Sequence, residues 1–173
     1  ICERWRNLPK PTIAAVQGKC IAGGLMLAWV CDIIVAADDA SFQDLVVGMG
    51  VCGVEWFSHV FELGPRKAKE WLYTGDSMTA SEAHKWGMVN SVVPRADLDA
   101  TCLAMAAKIA TKPMFALQAT KEAVNQVQDA AGRTQAMNAV FSLHHMCHSH
   151  NVQVFGIPVD PAGLAPRGKN KAG

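Results

Sequence analysis

KPTIAAVQGKCIAGGLMLAWVCD, residues 10 to 32, reads in succession as a strand, a glycine-rich turn and a buried helix. The strand is Thr12 to Val16, a short apolar run closed by Gln17 and Gly18 and too short for an ordinary helix. Gly18 and the Gly23-Gly24 pair permit backbone angles and close approaches that a Cβ forbids. From Leu25 to Cys31 the chain is apolar on every side, which predicts a helix buried all round. Its first turn opens at the glycines, where unpaired amide N–H groups suit a developing negative charge. Two readings stay open on these residues alone: an anion-stabilising turn, or a tight turn that packs a helix on a strand.

Upstream, Ile1 to Leu8 looks like the end of a helix that Pro9 and Pro11 stop. Downstream, Ile33 to Ala37 is the next strand, and Asp38-Asp39 turns into an extended piece through Phe42. After the glycines at 48, 50 and 53, a helix is predicted from Val54 to Glu62, with Gly64 at its C-terminal cap and Pro65 opening the next. That helix runs to Tyr73 and stops at Gly75. Thr79 and Glu82 form a capping box for a helix over Ser81 to Trp86, and Met88 to Val93 is a strand that Pro94 ends. Beyond it only helices are predicted, over Leu98 to Ala110, Phe115 to Val127 and Thr134 to His150.

A chain of 173 residues can bury one full core, and half of it is hydrophobic. No apolar run is long enough to span a bilayer. The formal net charge of +1, with both signs dispersed, leaves no electrostatic footprint for nucleic acid or an anionic membrane. Cys2, Cys20, Cys31, Cys52, Cys102 and Cys147 have no paired spacing, and no secretory leader is expected before them. They are expected to be reduced thiols of a cytoplasmic protein.

The motifs Lys10-Pro11-x-Ile13-Ala14-Ala15-Val16-x-Gly18, Ala22-Gly23-Gly24 and Leu27-Ala28-x-x-Cys31-Asp32-Ile33-Ile34-x-Ala36 resemble the second half of the crotonase family, the enoyl-CoA hydratases and isomerases. Ala40-Ser41-Phe42, Leu63 to Lys67, Leu72 to Asp76, Ala80 to Ala83 and Gly87-Met88-Val89 continue the resemblance in the family's order, from about Leu8 to Asn151. It implies an α/β fold, a partial crotonase-like spiral core over 1–94 with a C-terminal helical oligomerisation region over 95–151. Residues 152–173 are expected to be an extended or disordered tail, being rich in proline, glycine and lysine. In the family a comparable length of chain comes before the first of these motifs and carries the other oxyanion donor, so half of the site is expected outside this sequence.

The resemblance also implies a substrate, an acyl-CoA thioester, with coenzyme A entering as part of it and no separate cofactor or metal. The position matching the family's second oxyanion donor is Gly23, with Ala22, Gly24, Met26 and Val46 expected to contact substrate. Met26 and Val46 occupy the places of the two usual catalytic glutamates, and neither side chain carries a proton. The remaining candidates are Glu55, near where some family members place a carboxylate, and Asp44. Each has a plain alternative: Glu55 as a first-turn acid at a helix dipole, Asp44 as a loop carboxylate paired with a lysine. Asp32 is expected to brace the buried helix. The implied assembly is a homotrimer or hexamer. Against catalysis stands the reading of a non-catalytic acyl-CoA-binding or oligomeric relic.

Two further clusters are weighed. His144 and His148 share a helix face at the spacing zinc sites use, but no H-E-x-x-H glutamate accompanies them, and a helix end also suits histidine. Arg66, Lys67 and Lys69 are expected to form a solvated face, with contact to a CoA phosphate as the lesser reading.

Overall fold

A computed structural model describes residues 1–164. After a short helix, α1 (Cys2–Arg6), the chain enters two narrow three-stranded sheets. In the first, β1 (Ile13–Val16) pairs in parallel with β3 (Ile33–Ala37), which pairs in parallel with β6 (Ser91–Val93). In the second, β2 (Lys19–Ile21) pairs in parallel with β4 (Ser41–Gln43), and β4 runs antiparallel to β5 (Met78–Thr79). Gly18, at φ 61°, turns the chain from one sheet to the other, and its carbonyl accepts from Ser41 N at 2.8 Å. A side chain at that φ is strained, so the glycine is what allows β2 to follow β1 after a turn of only Gln17 and Gly18. β2 is a strand that the apolar pattern did not announce, because Lys19 and Cys20 do not alternate over enough residues.

Between the sheets lies α2 (Gly23–Trp29). Leu25, Ala28 and Trp29 are buried, whereas Leu27 is 48% exposed and Met26 half-buried, so the helix is embedded on one side and not all round as its composition predicted. Around it gather Phe42, Met78, Leu63 and Trp71, all buried, which makes α2 the centre of the core. The largest departure from expectation follows the glycines. Val54 to Ser58 is loop, not helix, and α3 (His59–Thr74) begins later. Gly53 at φ 138° and the bond from Ser58 N to Trp56 O (2.8 Å) hold the loop in a non-helical course. Gly64 interrupts α3 at φ 71°, ψ 162° ahead of Pro65, where a cap was expected, and Gly75 closes it in a left-handed conformation. At α4 (Ala80–Lys85) the Thr79 hydroxyl accepts from Glu82 N at 3.2 Å, while the Glu82 carboxylate reaches Lys67 at 2.7 Å instead of returning to Thr79.

Three helices follow: α5 (Leu98–Ala110), α6 (Met114–Ala130) and α7 (Arg133–Phe155). α5 packs Leu98, Cys102 and Met105 on the outer face of β1 and β3. α7 continues through residues 152–155, which were expected to belong to the tail, and the chain then folds back. Asp160 N donates to Met49 O at 2.8 Å, and a 3-10 turn (Pro161–Gly163) lies on another at Val46–Met49. A Cβ on Gly163 would run into the Gly48 carbonyl, so this approach requires glycine. The rest of the expected tail, 165–173, lies outside the described residues. No helix among the described residues is long and apolar enough to cross a membrane.

All six cysteines are free thiols. Burial pushes Cys20, on the core side of β2, up to about 11. Alkylation with iodoacetamide at pH 8 is expected to leave Cys20 unmodified in folded protein and to modify it in urea. Mass spectrometry of the peptide checks this, and rapid labelling of Cys20 in the folded state would show that β2 is not packed as described.

Candidate active site

The site begins at Ala22, the one described non-glycine residue with positive φ (47°, ψ −103°). Its N–H donates to Gln43 O (3.0 Å), and its carbonyl accepts from Met26 N (3.3 Å), which fixes the start of α2 against β4. The first amide groups of a helix have no carbonyl of their own helix to reach. Gly23 carries one of them and is exposed. A Cβ there would meet nothing within 4 Å, and at Gly24 it would only touch Cys20 Sγ at 3.5 Å. Packing within this chain therefore does not explain either glycine, and open space stands beside the Gly23 backbone.

One turn further along α2, Met26 lines a cavity of about 520 Å³. Glu55 and Trp56 from the 53–58 loop, Arg133, Met137 and Phe141 from α7, and α1 complete the wall. The structure thus brings together Met26, expected at the place of a family glutamate, and Glu55, the carboxylate expected to substitute for it. The Glu55 side chain is 49% exposed, with Oε1 3.5 Å from His144 Nε2. It sits in a loop ahead of α3, so its expected alternative as a first-turn helix acid does not apply. The other carboxylates on the cavity are engaged: Glu3 accepts from Asn7 Nδ2 (2.8 Å), and Asp129 pairs with Arg6 (3.1 Å). Val46 packs half-buried against the core in its 3-10 turn and is not part of this wall.

Asp44 takes a different place from the one expected. It is fully buried, with Oδ1 accepting from Val46 N (3.2 Å) and Oδ2 from Val54 N (3.1 Å) and His59 Nε2 (2.9 Å). The partner is a histidine, not a lysine, and a carboxylate so enclosed braces the backbone on both sides of the glycine loop. His59 packs its ring among Trp29, Phe57 and Trp71. Periodicity gave no sign of His59, since an isolated histidine before an apolar helix has no pattern to belong to.

A buried polar layer beneath the cavity was equally hidden. Arg133 donates to Ser58 Oγ (2.9 Å) and Gln128 Oε1 (3.2 Å) and lies 5.5 Å from the centres of the Trp56 and Phe61 rings. Burial pulls its guanidinium down from the usual range and pushes Glu62, which accepts from Ser58 Oγ, up. Lys67, expected on a solvated face, is buried between Glu82 and Glu70, leaving Arg66 and Lys69 exposed. Asp32, expected to brace the buried helix, instead braces the strand side: Oδ2 accepts from Thr12 N (2.7 Å) and Lys121 Nζ (2.9 Å), tying the residue before β1 to α6.

Two sheets linked through a buried helix, with helices appended on the outside, define an α/β spiral core of the crotonase type. The enoyl-CoA hydratase/isomerase family profile matches residues 2–158, and the chain belongs to that family. It is 48% identical over 155 residues, 89% of its length, to EchA13 of Mycobacterium tuberculosis, which carries an enoyl-CoA hydratase name. It is 29% identical over 158 residues, 86% of its length, to 4-chlorobenzoyl coenzyme A dehalogenase-1 of an Arthrobacter species. A crystal structure from Mycobacterium smegmatis, described as a probable enoyl-CoA hydratase, superposes at TM-score 0.90 with 54% identity over 91% of this chain and 65% of that one. The chain spans 49% of EchA13 and 56% of the dehalogenase, about half the length of these curated relatives.

Because the buried Asp44 carboxylate holds two loop amides and His59, Asp44→Ala is expected to lower stability by about 3 kcal/mol. Urea unfolding followed by tryptophan fluorescence measures it. A loss below about 0.5 kcal/mol, the level of an ordinary surface substitution, would show that the carboxylate is not the brace described.

Proposed function

We propose that the complete protein carrying this chain processes acyl-CoA thioesters by moving a proton beside the thioester, as an isomerase-type member of its family. The observation that carries the reading is that Met26 and Glu55 line one cavity, a turn of helix from Gly23. The Glu55 carboxylate takes a proton from the carbon next to the thioester carbonyl, the electron pair moves onto the thioester oxygen, and the Gly23 N–H donates to that oxygen. Return of the proton to another carbon of the conjugated system completes the step. A positioned donor is worth most where charge develops, in a site from which water is excluded. Addition of water across a double bond calls for a second proton-carrying group. Among the carboxylates of this chain on the cavity, Glu3 and Asp129 are already engaged, which leaves Glu55 for a single-carboxylate shuttle.

The second reading, a non-catalytic acyl-CoA-binding or oligomeric protein, is favoured by Met26 and Val46, which leave both usual glutamate positions without a titratable group. The assembly we propose is a homotrimer or hexamer. Its support is the apolar surface of the outer helices, with Leu103, Phe115 and Val127 each at least 70% exposed.

In the complete protein, Glu55→Gln keeps shape but cannot accept a proton and is expected to lower turnover of an enoyl-CoA by about two to four orders of magnitude. Gly23→Pro, which deletes an N–H, is expected to cost at least about a hundredfold. Steady-state kinetics, with circular dichroism to establish folding, decides. Parent-level activity in a folded Glu55→Gln variant would remove Glu55 from the chemistry, and no turnover of any enoyl-CoA by the parent would favour the non-catalytic reading.

A further inference from the structure

His144 and His148 stand one turn apart on α7, and each ring has one nitrogen already committed. His144 Nδ1 lies 2.9 Å from the carbonyl oxygen of Gly53, and His148 Nδ1 lies 2.6 Å from that of Pro158. A carbonyl oxygen only accepts, so each Nδ1 must carry a proton. A neutral imidazole has a single N–H, which would leave both Nε2 atoms as bare lone pairs. Yet the two Nε2 atoms face each other at 2.9 Å, the distance of a hydrogen bond. Two lone pairs do not settle at that separation; something positive must lie between them.

We propose that His144 and His148 hold one proton between their Nε2 atoms, and that this cationic pair is the clamp that positions Glu55. The Glu55 carboxylate, 3.5 Å from His144 Nε2, is the counter-charge next to the pair. The clamp joins three segments, since Gly53 belongs to the loop that carries Glu55, the histidines to α7, and Pro158 to the segment that folds back beneath them. His144 is buried, so its link to Glu55 is sheltered from water on one side. Other titratable groups nearby do not supply the charge. His145 has its ring centre 6.0 Å from that of His144 and 6.4 Å from that of His148. Cys52 of the loop neighbours Cys147 of α7, and burial pushes its thiol up. Asp160 of the returning segment accepts from Ala162 N at 2.8 Å. Among the described residues no group of three or more metal-binding side chains gathers there, which favours a proton over a metal ion.

The clamp rests on the reading of Glu55 as the proton carrier, and the histidines are positioning residues that do not touch substrate. Neutron diffraction from deuterated crystals of the complete protein counts the protons directly and is independent of activity. Three deuterons over the two rings, one on each Nδ1 and one between the Nε2 atoms, are expected. Two deuterons, or a metal ion in the gap, would overturn the shared proton. In the active enzyme, His148→Leu is expected to lower kcat about ten- to a hundredfold with little change in KM, the effect of a misplaced reacting group. His148→Lys, which restores a cation able to donate to His144 Nε2, is expected to recover most of that loss, whereas a merely structural role gives no such recovery. An unchanged kcat in His148→Leu, in an enzyme that Glu55→Gln inactivates, would overturn the clamp. Full activity in Glu55→Gln would instead bring down the reading of Glu55 while the deuteron count still decides the pair.

Discussion

A single carboxylate buried without a water-facing edge holds the functional half of this chain in place. Asp44 receives one amide from the turn after β4, another from the far side of the glycine loop, and the His59 ring at the head of α3. Leaving such a group unpaired in the interior is expensive, so the loop cannot drift without breaking charge-assisted hydrogen bonds. Everything that faces the cavity from this side inherits its position from that arrangement. Val54 is pinned, Glu55 follows it, and Trp56 turns back into the core under Arg133.

The second constraint is steric. At Gly53 a Cβ would lie 2.6 Å from Phe57 Cε2, and φ there is 138°. Together with Asp44 this keeps residues 54–58 out of a helix although their apolar content invites one. A loop is what allows Glu55 to project toward Met26 and His144 instead of lying along a helix surface. Local geometry and chemistry are joined here: the loop places a carboxylate on the cavity that Met26 lines.

Much of the fold was legible in the sequence. The strand at Ile33–Ala37, the helix at Leu98–Ala110 and the Gly75 stop follow from apolar periodicity and glycine chemistry, which act locally and leave a pattern. The short strand β2 and the late start of α3 did not, because β2 is held by pairing with β4 and the loop by Asp44, contacts made by residues distant in sequence. At the site, Glu55 and Met26 were singled out through the resemblance, and the structure adds that they share a cavity. Asp44 was named as a candidate acid, but burial alone separates a brace from a catalyst, and burial is a property of the fold. His59, Arg133 and the engagement of His144 with the loop left no local signal at all.

The central claim is that this chain brings a proton-carrying carboxylate and a backbone N–H donor to one thioester. The direct test is exchange at the carbon next to the thioester carbonyl, followed by mass spectrometry as the complete protein is incubated with a 3-enoyl-CoA in D2O. The account predicts that deuterium enters that position at a rate proportional to enzyme concentration. Failure of deuterium to enter above the uncatalysed rate, with binding of the thioester shown by calorimetry, would contradict it.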